Sequence, residues 1–149
     1  MDKEVFDFSI ESLGPCTIQS PIKFSLEHGD FTANYVSDDS YVINNINIYN
    51  TKDAIKLDSS NLIQKAGPRE KIYFDPKHAK AGICTCGGLC PGLNDVIRAI
   101  VRCLNTRYGV KTIKGYQYGF HGFFADSGYE PIELDRYLID EIHKIGGTY

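Results

Sequence analysis

AGICTCGGLCPGLNDVIRAIVRCLNTRYGVKTIKGYQYGFHGF, residues Ala81 to Phe123, decides how this chain is read. The apolar run over residues 80–86 carries β-branched Ile83 and Thr85, and predicts a short strand buried on both faces. A glycine-rich turn, Gly87 to Asn94, follows, with Pro91 or Asn94 near the start of a helix and Asn94 suited to capping it. Val96, Ile97, Ile100, Val101 and Leu104 then recur at helical spacing and form one apolar stripe. Arg98 and Arg102, four apart, share a neighbouring face. Gly109 ends the helix, Val110–Tyr116 reads as a second strand, and Gly119-Phe120-His121-Gly122-Phe123 as a loop. Strand, turn, helix, strand is the start of an α/β fold with a doubly wound, mostly parallel sheet.

The turn after the first strand is where such sheets hold phosphates. Gly87 and Gly88 have no Cβ, so a ligand can approach their backbone closely. The helix beyond supplies free N–H groups and the positive end of its dipole. The spacing is neither of the two common phosphate loops. No Gly-Lys-Ser/Thr follows, and Gly87, Gly88 and Gly92 give GGxxxG, not GxGxxG. Two readings stand side by side at this level: a phosphate site, and a tight structural turn.

Upstream, Ala66-Gly67-Pro68-Arg69 punctuates the chain, and Lys71–Phe74 reads as an extended piece stopped by Asp75-Pro76. Residues 1–65 show short β-like pieces, Phe31–Val36 and Tyr41–Tyr49, where Ile46, Asn47 and Ile48 alternate. Turns are predicted at Asp38-Asp39-Ser40 and Asp58-Ser59-Ser60. This segment is read as a β-rich N-terminal extension or arm, and 66–149 as the domain proper. Downstream, Asp135 is placed to cap a last helix carrying Leu138, Ile139, Ile142 and Ile145, ended by Gly146-Gly147. Asp126, Glu130, Glu133 and Asp135 read as a solvated acidic face, and Asp95 as a dipole-stabilising residue at a helix start.

With 149 residues the chain is of single-domain length. A net charge of −3 provides no basic field for nucleic acid or an anionic membrane, so neither partner is expected. No apolar run reaches the roughly 18 residues a membrane helix needs. The opening MDKEVFDFSIES is acidic and lacks an apolar core, unlike a secretory signal or a mitochondrial transit peptide. Five cysteines, Cys16, Cys84, Cys86, Cys90 and Cys103, include a CxCxxxC run with no His close by, which is not zinc-ligand spacing. They read as small buried hydrophobes, with Cys84 and Cys86 pointing to the same face of a strand.

CGGLCPGLNDVIR, Cys86 to Arg98, resembles the first nucleotide-binding turn of the 6-phosphofructokinases, most closely the plant and trypanosomatid branch. AGPREKIYFDP (Ala66–Pro76), GYQYGFHGFF (Gly115–Phe124) and HKIGGTY (His143–Tyr149) are similar to segments of the same branch. The resemblance implies transfer of the terminal phosphoryl group of ATP to the 1-hydroxyl of fructose 6-phosphate, with Mg2+. It also implies a cytoplasmic homo-oligomer. Gly88 matches the glycine whose backbone lies against the phosphates of ATP, with Gly87 beside it. Phe120 matches a position next to the nucleotide where the family usually has Tyr, so the ring is kept and the hydroxyl lost. His121 stands where the branch often has Arg, and a surface loop histidine is the competing reading. Arg98 and Arg102 match arginines of an effector site in bacterial relatives, but are read as solvated or interface residues.

The groups that perform the family's chemistry come later in its chain: a GGDGS-like metal and phosphate loop, a TIDND-like loop with the base, and the sugar-phosphate arginines. None appears in these residues, so no catalytic or metal-ligating residue is assigned here. The resemblance therefore implies the N-terminal part of an ATP-dependent enzyme. The alternatives are a noncatalytic nucleotide-binding or docking remnant, and a pyrophosphate-dependent enzyme. Two or three strands with two helices would also leave sheet edges and apolar faces uncovered, so this stretch alone is expected to be unstable or to need a partner surface.

Overall fold

The computed structural model describes residues 6–27, 29, 33–47, 55, 57–88 and 90–149. They fall into two units that divide between Tyr73 and Phe74.

In the first unit, β1 (Ile18–Gln19) and β2 (Tyr41–Ile43) find antiparallel partners far along the chain. β2 pairs with β3 (Leu62–Gln64), setting Val42 opposite Ile63, and β1 pairs with β4 (Lys71–Ile72). The two turns expected from the sequence are present: Ser40 N–H donates to the Ser37 carbonyl, and Asn61 N–H to that of Asp58. Arg69 Nε meets Asp38 Oδ1 at 2.8 Å. The expected strand over Phe31–Val36 reduces, in its described part, to one bridge between Ser25 and Asn34. Phe31 itself lies outside the described residues, as do Ile48 and Tyr49 of the second expected strand, which stops at Ile43.

The second unit is built on three strands in the order β5-β6-β7. β5 (Lys80–Cys84) runs parallel to β6 (Thr112–Tyr116) through five register pairs, from Lys80 opposite Thr112 to Cys84 opposite Tyr116. β7 (Ile132–Glu133) adds antiparallel, with Gly115 opposite Ile132. A Cβ at Gly115 would sit 3.1 Å from the Leu134 side chain, so glycine lets that residue close over β6.

The parallel pair needs a crossover, and α1 (Leu93–Arg102) supplies it. Its core seam is narrower than the expected stripe. Ile97 and Val101, four apart, are buried, while Val96 and Ile100 are 52% and 41% exposed. Successive helical residues turn by about 100°, so one sheet seats a single row of side chains and leaves the flank in solvent. After Arg102 the chain continues in a wider π-type coil, Cys103–Tyr108, and Gly109 closes it at φ 76°, a left-handed conformation that favours glycine. Ile97, Val101, Val110, Ile113, Leu134, Ile139 and Ile142 form the core, with Ala81, Ile83 and Leu104 packed around it.

Three expectations are corrected here. β5 is not buried on both faces: it is an edge strand of the described sheet, with Gly82 exposed and Ile83 only half-buried. The last helix is broken into turns. Asp135 does cap the first, its Oδ1 accepting from Leu138 N–H at 2.7 Å, but only Ile142–Lys144 coils again, as a short 3-10 turn. Ile139 and Ile142 still reach the core, whereas Ile145 is 53% exposed. Nor are the cysteines buried hydrophobes. Cys84 is half-buried and the other four are exposed; Cys86 and Cys90 fall in the turn rather than in the strand, and Cys103 begins the π-type coil. No helix among the described residues is long and apolar enough to cross a membrane.

Candidate functional site

At the carboxyl ends of the parallel pair, the segments leaving β5 and β6 enclose a cleft of about 620 Å3. Thr85, Cys86 and Gly87 form the β5 side, and Gln117, Tyr118, Gly119 and Phe120 the β6 side; Thr148 and Tyr149 also line it. This is where ligands bind in open α/β sheets.

Gly87 has a φ of +110°, which an L side chain rarely adopts, so the chain can leave the strand sharply. A Cβ on Gly87 or on Gly88 would meet nothing within 4 Å. The backbone of the turn is therefore open to a ligand. Across the cleft the reverse holds. A Cβ on Gly119 would lie 3.2 Å from Cys86 Sγ and 3.4 Å from the Thr85 carbonyl, and one on Gly122 would overlap the Gln117 carbonyl. These two glycines let the 3-10 turn Gly119–Phe123 fold tightly against both strand ends. Tyr118, at φ 59°, makes the left-handed step into it. Tyr116 stacks on Phe123 with ring centroids 4.0 Å apart, worth about 1 kcal/mol beyond burial.

Of the candidate residues named from the sequence, Gly87 and Phe120 line the cleft together, Phe120 presenting a ring that is 71% exposed. Gly88 is the next exposed residue of the turn and is not part of the lining. His121 points elsewhere: its ring lies edge-on to Tyr129, at 5.8 Å, and to Phe124, at 6.4 Å. Arg98 and Arg102 converge on Asp140, the Arg98 Nε donating to its carbonyl at 3.1 Å and Arg102 Nη1 standing 3.5 Å from its carboxylate.

Asn94 overturns its expected role. Gly92, left-handed at φ 82°, is the residue preceding the helix, and no side chain caps it. Asn94 is instead buried inside the first turn. Its amide donates to the carbonyls of Ile142 (3.1 Å) and Ile145 (3.0 Å), and its Oδ1 accepts from Tyr149 N–H at 2.9 Å. It thus holds in place the segment that walls the cleft. Sequence reasoning also misses Thr148, Tyr149 and Gly119 as lining residues. For Gly119 a signal exists in the paired glycines of GFHG. For Thr148 and Tyr149 there is none, because their position depends on a contact 55 residues away.

The cleft offers neutral groups: backbone amides, the hydroxyls of Thr85, Tyr116, Tyr118, Thr148 and Tyr149, and the Phe120 ring. No side-chain carboxylate or basic side chain among the described residues lines it. Among the described residues, no group of three or more His, Cys, Asp or Glu is placed to hold a metal ion. Backbone amides at an open glycine turn and an exposed ring can receive a flat or phosphate-bearing ligand.

A glycine turn between a parallel strand and its crossover helix, with a cleft beside it, defines the class: an open α/β domain. Residues 80–149, which hold that sheet and cleft, match the phosphofructokinase family model, and this segment is part of a phosphofructokinase domain. The chain is 44% identical over 146 residues to the ATP-dependent 6-phosphofructokinase of Borreliella burgdorferi, covering 97% of this chain and 32% of that protein. It is 55% identical over 86 residues to the chloroplastic ATP-dependent 6-phosphofructokinase 5 of Arabidopsis thaliana (58% and 16%). To the ATP-dependent 6-phosphofructokinase of Trypanosoma cruzi it is 41% identical over 87 residues (58% and 18%). The chain thus spans about a third or less of the length of these relatives. The Borreliella match extends through the first unit as well, so the N-terminal β segment has a counterpart there.

Proposed function

We propose that this chain carries the first nucleotide-phosphate turn of an ATP-dependent 6-phosphofructokinase, which moves the terminal phosphoryl group of ATP to the 1-hydroxyl of fructose 6-phosphate. The observation that carries this reading is the open backbone of Gly87 and Gly88, in the family-matched segment, beside a cleft at the ends of β5 and β6. In this reading the amides of Gly87 and Gly88 receive the phosphates, and Phe120 stacks on the nucleotide. His121 contributes at most from the rim, since its ring engages Tyr129 and Phe124. Mg2+ would supply the charge neutralisation that phosphoryl transfer needs, and none of the residues of this cleft is assigned to hold it. The proton-accepting carboxylate and the cationic clamps belong to parts of the enzyme outside this cleft. The relatives named ATP-dependent support ATP over pyrophosphate as donor. A cytoplasmic homo-oligomer acting on a small sugar phosphate, without nucleic acid or membrane, completes the reading.

The open, uncharged turn of Gly87 and Gly88 fits one second reading equally well, a noncatalytic nucleotide-binding unit. Equilibrium dialysis of the chain against ATP, with and without Mg2+, and against pyrophosphate tests both. Saturable ATP binding that falls at least tenfold in Gly88→Val supports the nucleotide turn. That substitution meets open space, so it probes the ligand rather than the fold. Absence of binding by ATP and pyrophosphate alike refutes it. Transfer to fructose 6-phosphate, followed by coupled assay, separates enzyme from binding unit.

A further inference from the structure

Two thiols sit where β5 gives way to the turn. Cys84 is the last residue of the strand, and Cys86 is the second residue beyond it. Their sulfurs are 3.6 Å apart and both are free. A disulfide is about 2.05 Å long, so closure asks for a shift of about 1.5 Å. Cys86 is exposed and lines the cleft, which gives a reagent access; Cys84 is half-buried behind it. A Cβ at Gly119 would lie 3.2 Å from Cys86 Sγ, so glycine there leaves room for the thiol.

We propose that Cys84 and Cys86 are a redox-active dithiol, closing to an intramolecular disulfide by exchange with a small-molecule or protein disulfide. The Cys86 thiolate attacks one sulfur of the incoming disulfide. That S–S bond breaks, one thiolate leaves, and it takes up the proton Cys86 has lost. Cys84 then gives up its proton, and its thiolate displaces the second thiol from the Cys86 sulfur. Two protein thiols are oxidised by two electrons, and the incoming disulfide is reduced to two thiols that carry both protons. Burial, reinforced by the neighbouring Cys86 sulfur, holds the Cys84 thiol above its ordinary pKa. The exposed Cys86 therefore reacts first and Cys84 resolves. A ring closed over only three residues, Cys84, Thr85 and Cys86, is strained and easily reopened, the property of a switch rather than of a staple. Cys86 directly precedes Gly87, so closure draws the first residue of the turn toward the strand. Any effect on ATP rests on the nucleotide reading above, whereas the thiol chemistry does not.

The test equilibrates the 149-residue chain with mixtures of reduced and oxidised glutathione, quenches with acid, alkylates the free thiols and maps the tryptic peptide Ala81–Arg98 by mass. The expected result is loss of two hydrogens, with Cys84 and Cys86 escaping alkylation together and no fragmentation between them. Cys90→Ser keeps that signature. Cys84→Ser, or Cys84→Val where serine disturbs the strand, abolishes it and leaves Cys86 carrying glutathione. Independent alkylation of all the cysteines in every mixture overturns the proposal. So does a two-hydrogen loss that survives in Cys84→Ser and Cys84→Val, which places the bond between Cys86 and Cys90. The readout is mass alone, so it stands or falls separately from nucleotide binding.

Discussion

The backbone N–H of Tyr149 donates to Oδ1 of Asn94 at 2.9 Å, joining residues 55 apart in sequence. The same side chain donates to the carbonyls of Ile142 and Ile145. One buried amide therefore satisfies three backbone groups and fixes a wall of the cleft. Asn94→Ala leaves all three to find other partners, and is expected to lower stability by roughly 2–4 kcal/mol. Urea denaturation measures this; a loss below about 1 kcal/mol would mean that water replaces the amide without strain.

The two sides of the cleft differ in their tolerance of a methyl group. Gly122→Ala drives a Cβ into the Gln117 carbonyl and is expected to cost about 1–3 kcal/mol. Gly88→Ala meets open space and should stay within about 0.5 kcal/mol of wild type. Thermal or urea unfolding of the pair reads the contrast directly, and equal effects would contradict the tight fold of the 3-10 turn back onto Gln117 at the end of β6.

Phe120 is 71% exposed and lines the cleft. Phe120→Ala is expected to leave the melting temperature nearly unchanged and to weaken ATP binding roughly threefold to tenfold, the worth of one aromatic stack. Calorimetric titration separates this from a folding defect. Undiminished affinity would remove the ring from the nucleotide contact.

Asp75 organises the turn that leads into β5. Its Oδ1 accepts from Lys77 N–H at 3.0 Å, and His78 Nδ1 lies 3.1 Å from its Oδ2. These contacts, the Lys77 amide foremost, hold its pKa below the ordinary 3.8. A depressed folded pKa means that the carboxylate's contribution is present above 3.8 and is lost as pH falls from there through the lowered value. The stability gap between wild type and Asp75→Ala should thus be steady between about pH 5 and pH 7 and narrow in acid. Urea midpoints against pH check the sign; a gap that widens on acidification would reverse it.

Asp140 accepts both arginines of α1, yet all three side chains are partly solvated. Asp140→Asn is expected to cost less than about 1 kcal/mol, with the difference shrinking as salt is raised. A larger, salt-independent loss would show that the Arg98 bond to the Asp140 carbonyl depends on the carboxylate.

Much of the second unit is legible in the amino-acid sequence. Strand, turn, α1 and β6 can each be read because their signals are local: apolar period, a helix-ending glycine, and glycines at the turn. The nearness of Cys84 and Cys86 is also anticipated from their spacing, although Cys86 lies past the end of the strand. Other features depend on which surfaces meet. Val96 and Ile100 carry the same apolar signal as Ile97 and Val101, and only the narrowness of the sheet seat leaves the first pair in solvent. The pattern from Leu138 to Ile145 suits a helix, but the carbonyls of Ile142 and Ile145 are engaged by Asn94, and the chain bends into turns that still bury Ile139 and Ile142. Asn94 is as good a cap as a buried tie by composition alone. Local propensity writes the elements and the open turn into the chain, since neighbours in sequence are always neighbours in space. The far wall of the cleft, Thr148 and Tyr149, is decided by packing, because a hydrogen bond across 55 residues exists only once the fold has closed that distance.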